Sequence, residues 1–365
     1  MNADKRRLGL LLGAAGCLLA AYWAGRMAWA EILFVSGRAE GAAALMPGNA
    51  EYLARAGDLE GAVRANPRDS ESLVALGLRA EMRGDFAAAE RWMLAAADCD
   101  RGYDPRWSLA NFYFRRGNEA AFWKWGLAAA EMGNDPRALW ALYWRFSTDG
   151  AEIVRRGVPA TRQALRSYVW FLMGWPEWGQ AGPAAARLMA RADPEDAQVL
   201  TAYCERLLGA GRGGEALALW EELGRRGLTL PHTGFDWRLG RVEGVSASEG
   251  AAGVRVSLSG SQPERCEVLW RYAAWEAGAA YALRFEYMTS GIRAGSGLRW
   301  RVRDGAGRTV AESEDLASEE WKRGEVRFAG PEGLGRVSLG YVRAPGTVRV
   351  EGVVRVRGVE LEVDR

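Results

Sequence analysis

Between Arg7 and Arg26 the chain carries no charge, and residues 8–25 read LGLLLGAAGCLLAAYWAG. Hydrocarbon offers a backbone no hydrogen-bond partner, so a run that enters a bilayer must satisfy its own N–H and C=O groups as a helix. As a helix it spans roughly 27 Å, enough to cross a bilayer core. Leu8, Leu11, Leu18 and Leu19 supply its apolar bulk, and Tyr22 and Trp23 fall where aromatic rings favour the membrane interface. Lys5, Arg6 and Arg7 precede the run and only Arg26 closely follows it, which keeps Met1 cytoplasmic and sends the rest to the periplasmic side. Three fates of the segment remain open: an uncleaved anchor, a signal peptide cut after Ala28-Trp29-Ala30, and a lipoprotein leader ending at Ala14-Ala15-Gly16-Cys17. The length of the run favours the anchor.

Charge and residue usage narrow the function. The 48 basic and 46 acidic residues are interleaved, so no basic stripe offers itself to nucleic acid. A single histidine, His232 beside Pro231, removes the commonest general base and metal ligand and reads as a loop residue. The 4 cysteines form no C-x-x-C pair, and Cys99, Cys204 and Cys266 read as small buried hydrophobes. The carboxylate pairs Glu319-Glu320 and Glu312/Glu314 lie in polar stretches and read as solvated surface. No nucleophile elbow or phosphate loop is present, and neither a cofactor nor a metal is implied.

Residues 39–228 are rich in Ala, Leu, Arg and Glu with Gly and Pro as punctuation, the texture of short helices joined by tight turns. From Gly77, small or apolar residues follow at Ala89, Met93 and Ala96. The same spacing gives Ala216, Trp220 and Leu223 from Cys204, then Ala181, Ala185 and Leu188 from Val169, and more loosely Phe122, Gly126 and Ala129 from Ala110. Small residues at these points let two helices approach closely, and Gly84-Asp85 sits where a turn would join them. This pattern resembles the tetratricopeptide repeat family, which implies antiparallel helix pairs that stack and hold a protein partner. The resemblance is clearest over residues 69–100 and recurs over 195–228. Residues 39–67 read as an incomplete first unit, and 137–158 as an interruption without a partner helix.

The 17 tryptophans are many for 365 residues. Those crowded between Trp107 and Trp178 fall at helical spacings, such as Trp140 with Tyr143 and Trp144, and read as inter-helix core.

At Gly234 the texture changes to short alternating runs: Gly253-VRVSLSG, Ala280-YALRFEYMTSG, Leu298-RWRVRD, Glu325-VRFAG, Arg336-VSLGYVRA, Thr347-VRVEG and Val353-VRVRGVELEV. Asp304-Gly305 marks a hairpin turn towards Thr309-Val310. The pattern is complete within residues 234–365 and predicts a sandwich that folds alone. With Phe235-Asp236-Trp237 at its entry and Gly278-x-x-Tyr281-x-Leu283-x-Phe285 within it, the segment resembles the jelly-roll carbohydrate-binding-module and galactose-binding-like superfamily. That resemblance implies a glycan as a ligand; Trp270, Trp275 and Trp321 are candidate stacking rings for one, with the sandwich core the favoured place for each, and Trp300 between two arginines points inwards.

The expected fold is therefore multidomain α + β: an anchor helix over 1–30, tetratricopeptide-like helical repeats over 31–230 packed through Gly77, Gly84, Ala89, Ala96, Ala216 and Trp220, and a β-sandwich jelly roll over 231–365. The expected function is a non-enzymatic, single-pass scaffold of the cytoplasmic membrane that binds a protein partner, as an accessory factor in envelope polysaccharide assembly or export. A glycan receptor is the alternative, and a hydrolase a remote one.

Overall fold

The computed structural model describes residues 3–132 and 136–363. Met1 and the side chains of Lys5, Arg6 and Arg7 lie outside the described residues. The chain forms two compact units, Met1–Ala164 and Leu165–Arg365.

The first unit opens on helix α1 (Ala3–Val35), unbroken over 33 residues. Its segment Leu11–Val35 is long and apolar enough to cross a membrane, and the most apolar window is wholly unburied. Leu8, Leu11, Leu18, Leu19, Tyr22 and Trp23 are all exposed. Arg26 stacks its guanidinium over Trp23 and donates to the Tyr22 hydroxyl (3.2 Å), closing the apolar run with an aromatic and cationic collar. The helix does not end there. Ala30 and Leu33 are buried against Ala42 and Ala43 of α2 (Ala39–Leu45) and Tyr52 of α3 (Ala50–Arg55). Arg26 Nε donates to the Leu45 carbonyl (2.7 Å), and the Tyr52 hydroxyl to Glu31 (2.6 Å). The residues expected to form an incomplete first unit are thus completed by the tail of α1.

The array continues with α4 (Leu59–Ala65), then the pairs α5 (Ser70–Met82) with α6 (Phe86–Cys99) and α7 (Tyr103–Arg116) with α8 (Glu119–Ala130). One turn chemistry recurs: Gly57-Asp58, Gly84-Asp85 and Gly117-Asn118. Each glycine takes a positive φ (90°, 79° and 66°) that ends one helix, and the next side chain accepts a backbone N–H of the following helix. At the α5–α6 crossing a Cβ on Gly77 would lie 2.6 Å from Met93 Cγ and 3.2 Å from the Ala89 carbonyl oxygen, so only glycine permits that approach. Ala89, Met93 and Ala96 are fully buried, as are Phe122 and Ala129 at the equivalent spacing. Residues 137–158, expected to interrupt the register, instead form α9 (Arg137–Phe146) and α10 (Gly150–Arg156), with Trp140 and Tyr143 fully buried and the Tyr143 ring fitted against Gly126 and Gly157. Cys99, expected in the core, is exposed.

The second unit holds most of α11 (Arg162–Met173), with α12 (Gly182–Met189), α13 (Ala197–Gly209) and α14 (Gly213–Arg225), followed by ten strands among the described residues. Ala181, Ala185, Leu188, Cys204, Ala216 and Leu223 are buried, whereas Trp220 is half-buried and packs on Gly234. The strands are β1 (Arg238–Leu239), β2 (Val245–Gly250), β3 (Gly253–Ser259), β4 (Arg265–Trp275), β5 (Ala280–Ser290), β6 (Leu298–Arg303), β7 (Thr309–Glu312), β8 (Lys322–Ala329), β9 (Gly333–Val342) and β10 (Glu351–Val363). They pair antiparallel as two five-stranded sheets, ordered β1-β4-β9-β6-β7 and β2-β3-β10-β5-β8. The inner faces enclose one core, with Trp300, Leu339, Val337, Phe285, Leu283 and Val354 at its centre.

The change from helix to strand falls near residue 231, but the compact unit starts earlier. The α13–α14 hairpin rests on the sandwich: Glu205 of α13 accepts from Gly234 N (2.5 Å) and from Arg238 Nη2 (2.6 Å), and Gly213 at the start of α14 lies against Leu334 of β9. Of the expected strands, residues 347–350 are irregular chain leading into β10. The longest omission from the sequence reading is β4. Its outward face carries Trp270 and Tyr272 while Leu269 and Ala273 point inwards, and a bulge between Glu267 and Leu269 breaks the alternation.

Candidate functional site

The two outer faces of the sandwich differ in chemistry. On the first sheet, the pairing Arg238–Trp270–Ser338–Arg301 runs across β1, β4, β9 and β6, and the next row on that face holds Tyr272, Arg336 and Arg303. Trp270 meets Tyr272 edge to face at 5.4 Å. The Arg336 guanidinium lies 4.3 Å from the Trp270 ring and that of Arg238 4.8 Å from it. Glu267 binds Arg303 (2.5 Å) and Arg336 (3.0 Å), and Glu205 binds Arg238. Arg301, buried by its neighbours, gives its N–H groups to the Gly340 and Gly297 carbonyls, and burial draws its pKa down. This is a ladder of guanidinium planes on aromatic faces whose charges are already paired.

Two cavities flank the ladder. One of about 830 Å³ is lined by His232, Arg238, Arg241 and Trp270, and one of about 590 Å³ by Leu208 and Gly211 with Tyr272, Arg303 and Arg336. Trp270 is therefore half-buried with arginines stacked on it rather than a bare platform for a sugar. Trp275, the second candidate ring, is 6% exposed and packs edge to face on Tyr281 and Phe328, so it belongs to the core and its candidacy as a stacking ring is withdrawn. Trp321 is 36% exposed, with the Arg357 guanidinium 4.0 Å over its ring on the outer face of the second sheet. Trp300 points inwards and is fully buried, as its flanking arginines imply.

Sequence reasoning missed Arg238, Glu205, Glu267, Tyr272 and Arg336. The available signal was the aromatic pair in L-W-R-Y of β4, whose outward members make sense only once α13 and α14 cover that face.

In the helical array a groove of about 540 Å³ lies along α1, α3, α4 and α5. Phe34 and Leu59 contribute its apolar surface, and Glu51, Asp69 and Glu71 outnumber Arg55 in its lining. Phe34 belongs to α1, so that long N-terminal helix itself shapes this groove.

His232 takes a φ of 60°, donates its backbone N–H to Asp236 (3.0 Å) and has Nδ1 at 2.9 Å from the Trp237 carbonyl oxygen, a turn held by its own loop. Burial pushes the Cys204 thiol up to about 12 and raises that of Cys266, so both stay protonated. Among the described residues no group of three or more His, Cys, Asp or Glu side chains is disposed to hold a metal ion.

No family model matches the chain, and no curated protein matches it. Among solved structures, a CBM4 module is similar at 15% identity over 35% of this chain and 94% of its own, with a TM-score of 0.26. The N-terminal cellulose-binding domain of a Cellulomonas fimi β-1,4-glucanase C is similar at 14% identity over 35% of this chain and 89% of its own, TM-score 0.25. PilW, a type IV pilus biogenesis factor, is similar at 13% identity over 55% of this chain and 90% of its own, TM-score 0.24.

Proposed function

We propose that the chain is a non-catalytic scaffold of the cytoplasmic membrane, anchored by α1, whose tetratricopeptide-like array grips a segment of a protein partner on the periplasmic side. The observation that carries this reading is the divided burial of α1: its most apolar window is unburied, while Ala30 and Leu33 lie in a core with α2 and α3 and Phe34 packs against it. Such a helix presents the groove at a fixed height above the bilayer. The acidic lining of the groove suits a partner segment with cationic and apolar side chains, since opposite charges steer and orient the encounter. An accessory role in envelope polysaccharide assembly or export accords with a membrane-held scaffold bearing a sandwich. A second reading, a glycan receptor, draws on Trp321, the candidate ring that stays open to solvent.

A photo-crosslinking residue at Ala54, in the groove lining, tests the scaffold reading in the full chain. A discrete protein adduct is expected there, lost when Glu51 and Glu71 are both changed to Lys and absent when the probe is placed at the exposed Ala87 on α6. Equal adducts from Ala54 and Ala87, unaffected by the charge reversal, contradict it.

A further inference from the structure

The outer face of the second sheet is a lattice of ion pairs with one gap. Glu286 of β5 accepts from Arg357 of β10 (2.8 Å) and Arg323 of β8 (3.1 Å), and those hydrogen bonds hold its carboxyl below the usual range. Glu325 takes Arg284 (3.0 Å) and Arg327 (3.1 Å), and Glu362 takes Arg284 as well (2.8 Å). Two residues along β10 from Arg357, Arg355 lies directly opposite Arg255 of β3. Both are exposed, and among the described residues neither has a carboxylate partner. Like charges facing one another across an antiparallel pair weaken it modestly. A ligand that brings negative charge removes that repulsion.

The surroundings narrow the ligand. Across the same row, Ser248 of β2 pairs with Arg255, and Met288 of β5 pairs with Arg355. Ser246 and Ser257 sit together in the adjacent row. Trp321, held by the Arg357 guanidinium, stands on this face with a third of its surface open. Neighbouring strands are roughly 4.8 Å apart, so the arginine pair and the ring are separated by about two strand widths, a span comparable to a disaccharide. Paired arginines suit carboxylates, serine hydroxyls suit ligand hydroxyls, and the part of the Trp321 ring that the Arg357 guanidinium leaves uncovered suits the flat apolar side of a sugar ring.

We infer that the outer face of the second sheet binds a carboxylated polysaccharide, with Arg255 and Arg355 taking a uronate carboxylate and Trp321 stacking on a nearby sugar ring. An acidic peptide would satisfy the arginines without using the ring. This inference rests on the second reading, in which the sandwich is a glycan receptor, and names its ligand class; it does not rest on the array binding a protein.

The test uses the full chain in detergent, with polygalacturonate, neutral dextran and poly-glutamate as probes in affinity electrophoresis. Retardation is expected with polygalacturonate alone, weakening as salt rises. Changing both Arg255→Glu and Arg355→Glu should weaken it about tenfold or more, since charge-assisted hydrogen bonds are lost and repulsion replaces them. Trp321→Ala should weaken it about fivefold through lost ring contact. If the reversal variant does not fold, Arg255→Gln with Arg355→Gln serves in its place, and relief of the like-charge contact should leave its melting temperature equal to or above that of the wild type. No retardation by polygalacturonate overturns the inference. So does retardation by poly-glutamate equal to that by polygalacturonate and unchanged by Trp321→Ala, which assigns the face to acidic peptides or to polyanions without discrimination.

Discussion

Replacing Trp300 by alanine is expected to destabilise the sandwich by about 3–5 kcal/mol, the range for removing a large aromatic side chain from a packed core. Trp300 is the hinge of contact between the sheets. It projects from β6 with no exposed surface, lies 5.6 Å from the Phe285 ring of the opposite sheet and 5.5 Å from Trp237 in the entry loop. Its removal leaves a cavity walled by residues of three segments that cannot all move inwards together. One feature tempers the loss: the indole Nε1 is buried and has no hydrogen-bond partner among the described residues, so truncation also removes an unsatisfied donor and places the effect towards the lower end of the range. For a unit of roughly 200 residues each kcal/mol corresponds to about 2–4 °C, so a fall of about 6–20 °C in the melting temperature is expected by circular dichroism. A fall of less than about 2 °C would contradict the register that turns Trp300 inwards, since a surface substitution has an effect of that size.

The second large effect concerns the tail of α1. A chain starting at Arg26 lacks the apolar run but keeps Ala30, Leu33 and Phe34, whereas one starting at Ser36 loses them. The helices that rest on this tail, α2 and α3, are 7 and 6 residues long, and α4, which packs on α3, has 7; all are too short to persist alone in water. Losing the Leu33 burial, the smaller contributions of Ala30 and Phe34, and the Tyr52–Glu31 and Arg26–Leu45 hydrogen bonds removes about 3–6 kcal/mol from this corner of the array. Hydrogen exchange of residues 39–65 is expected to be protected in the longer chain and fast in the shorter, with the sandwich protected in both. Equal protection in the two chains would show that the tail of α1 is not part of the array.

What the residues revealed in advance follows from how local each signal is. The helix-pair spacing was readable because close approach demands small residues at fixed positions, and Ala89, Ala96, Ala129, Ala185 and Ala216 are all buried where that spacing put them. Trp300 was readable because Arg299 and Arg301 alternate with it on a half-buried strand. The α9–α10 segment was not, because its large aromatics replace the small residues of the other units and fill the space that a close crossing would take. Strand β4 was hidden by a bulge and by aromatics on both faces, the outward ones paired with arginines and bordered by a helical hairpin distant in sequence. The arginines of VRVSLS and VRVRG stood in plain alternation, but only the pairing of β3 with β10 sets Arg255 against Arg355.

The central claim is that α1 serves at once as membrane anchor and as the first helix of the array. Intact mass of the full chain recovered from membranes after alkaline carbonate extraction tests it most directly. The chain is expected to stay in the membrane pellet with its apolar run attached, and a periplasm-active reporter fused after Arg365 to be functional. A soluble chain beginning at Glu31, cut between residues that pack in the core of the array, would contradict it.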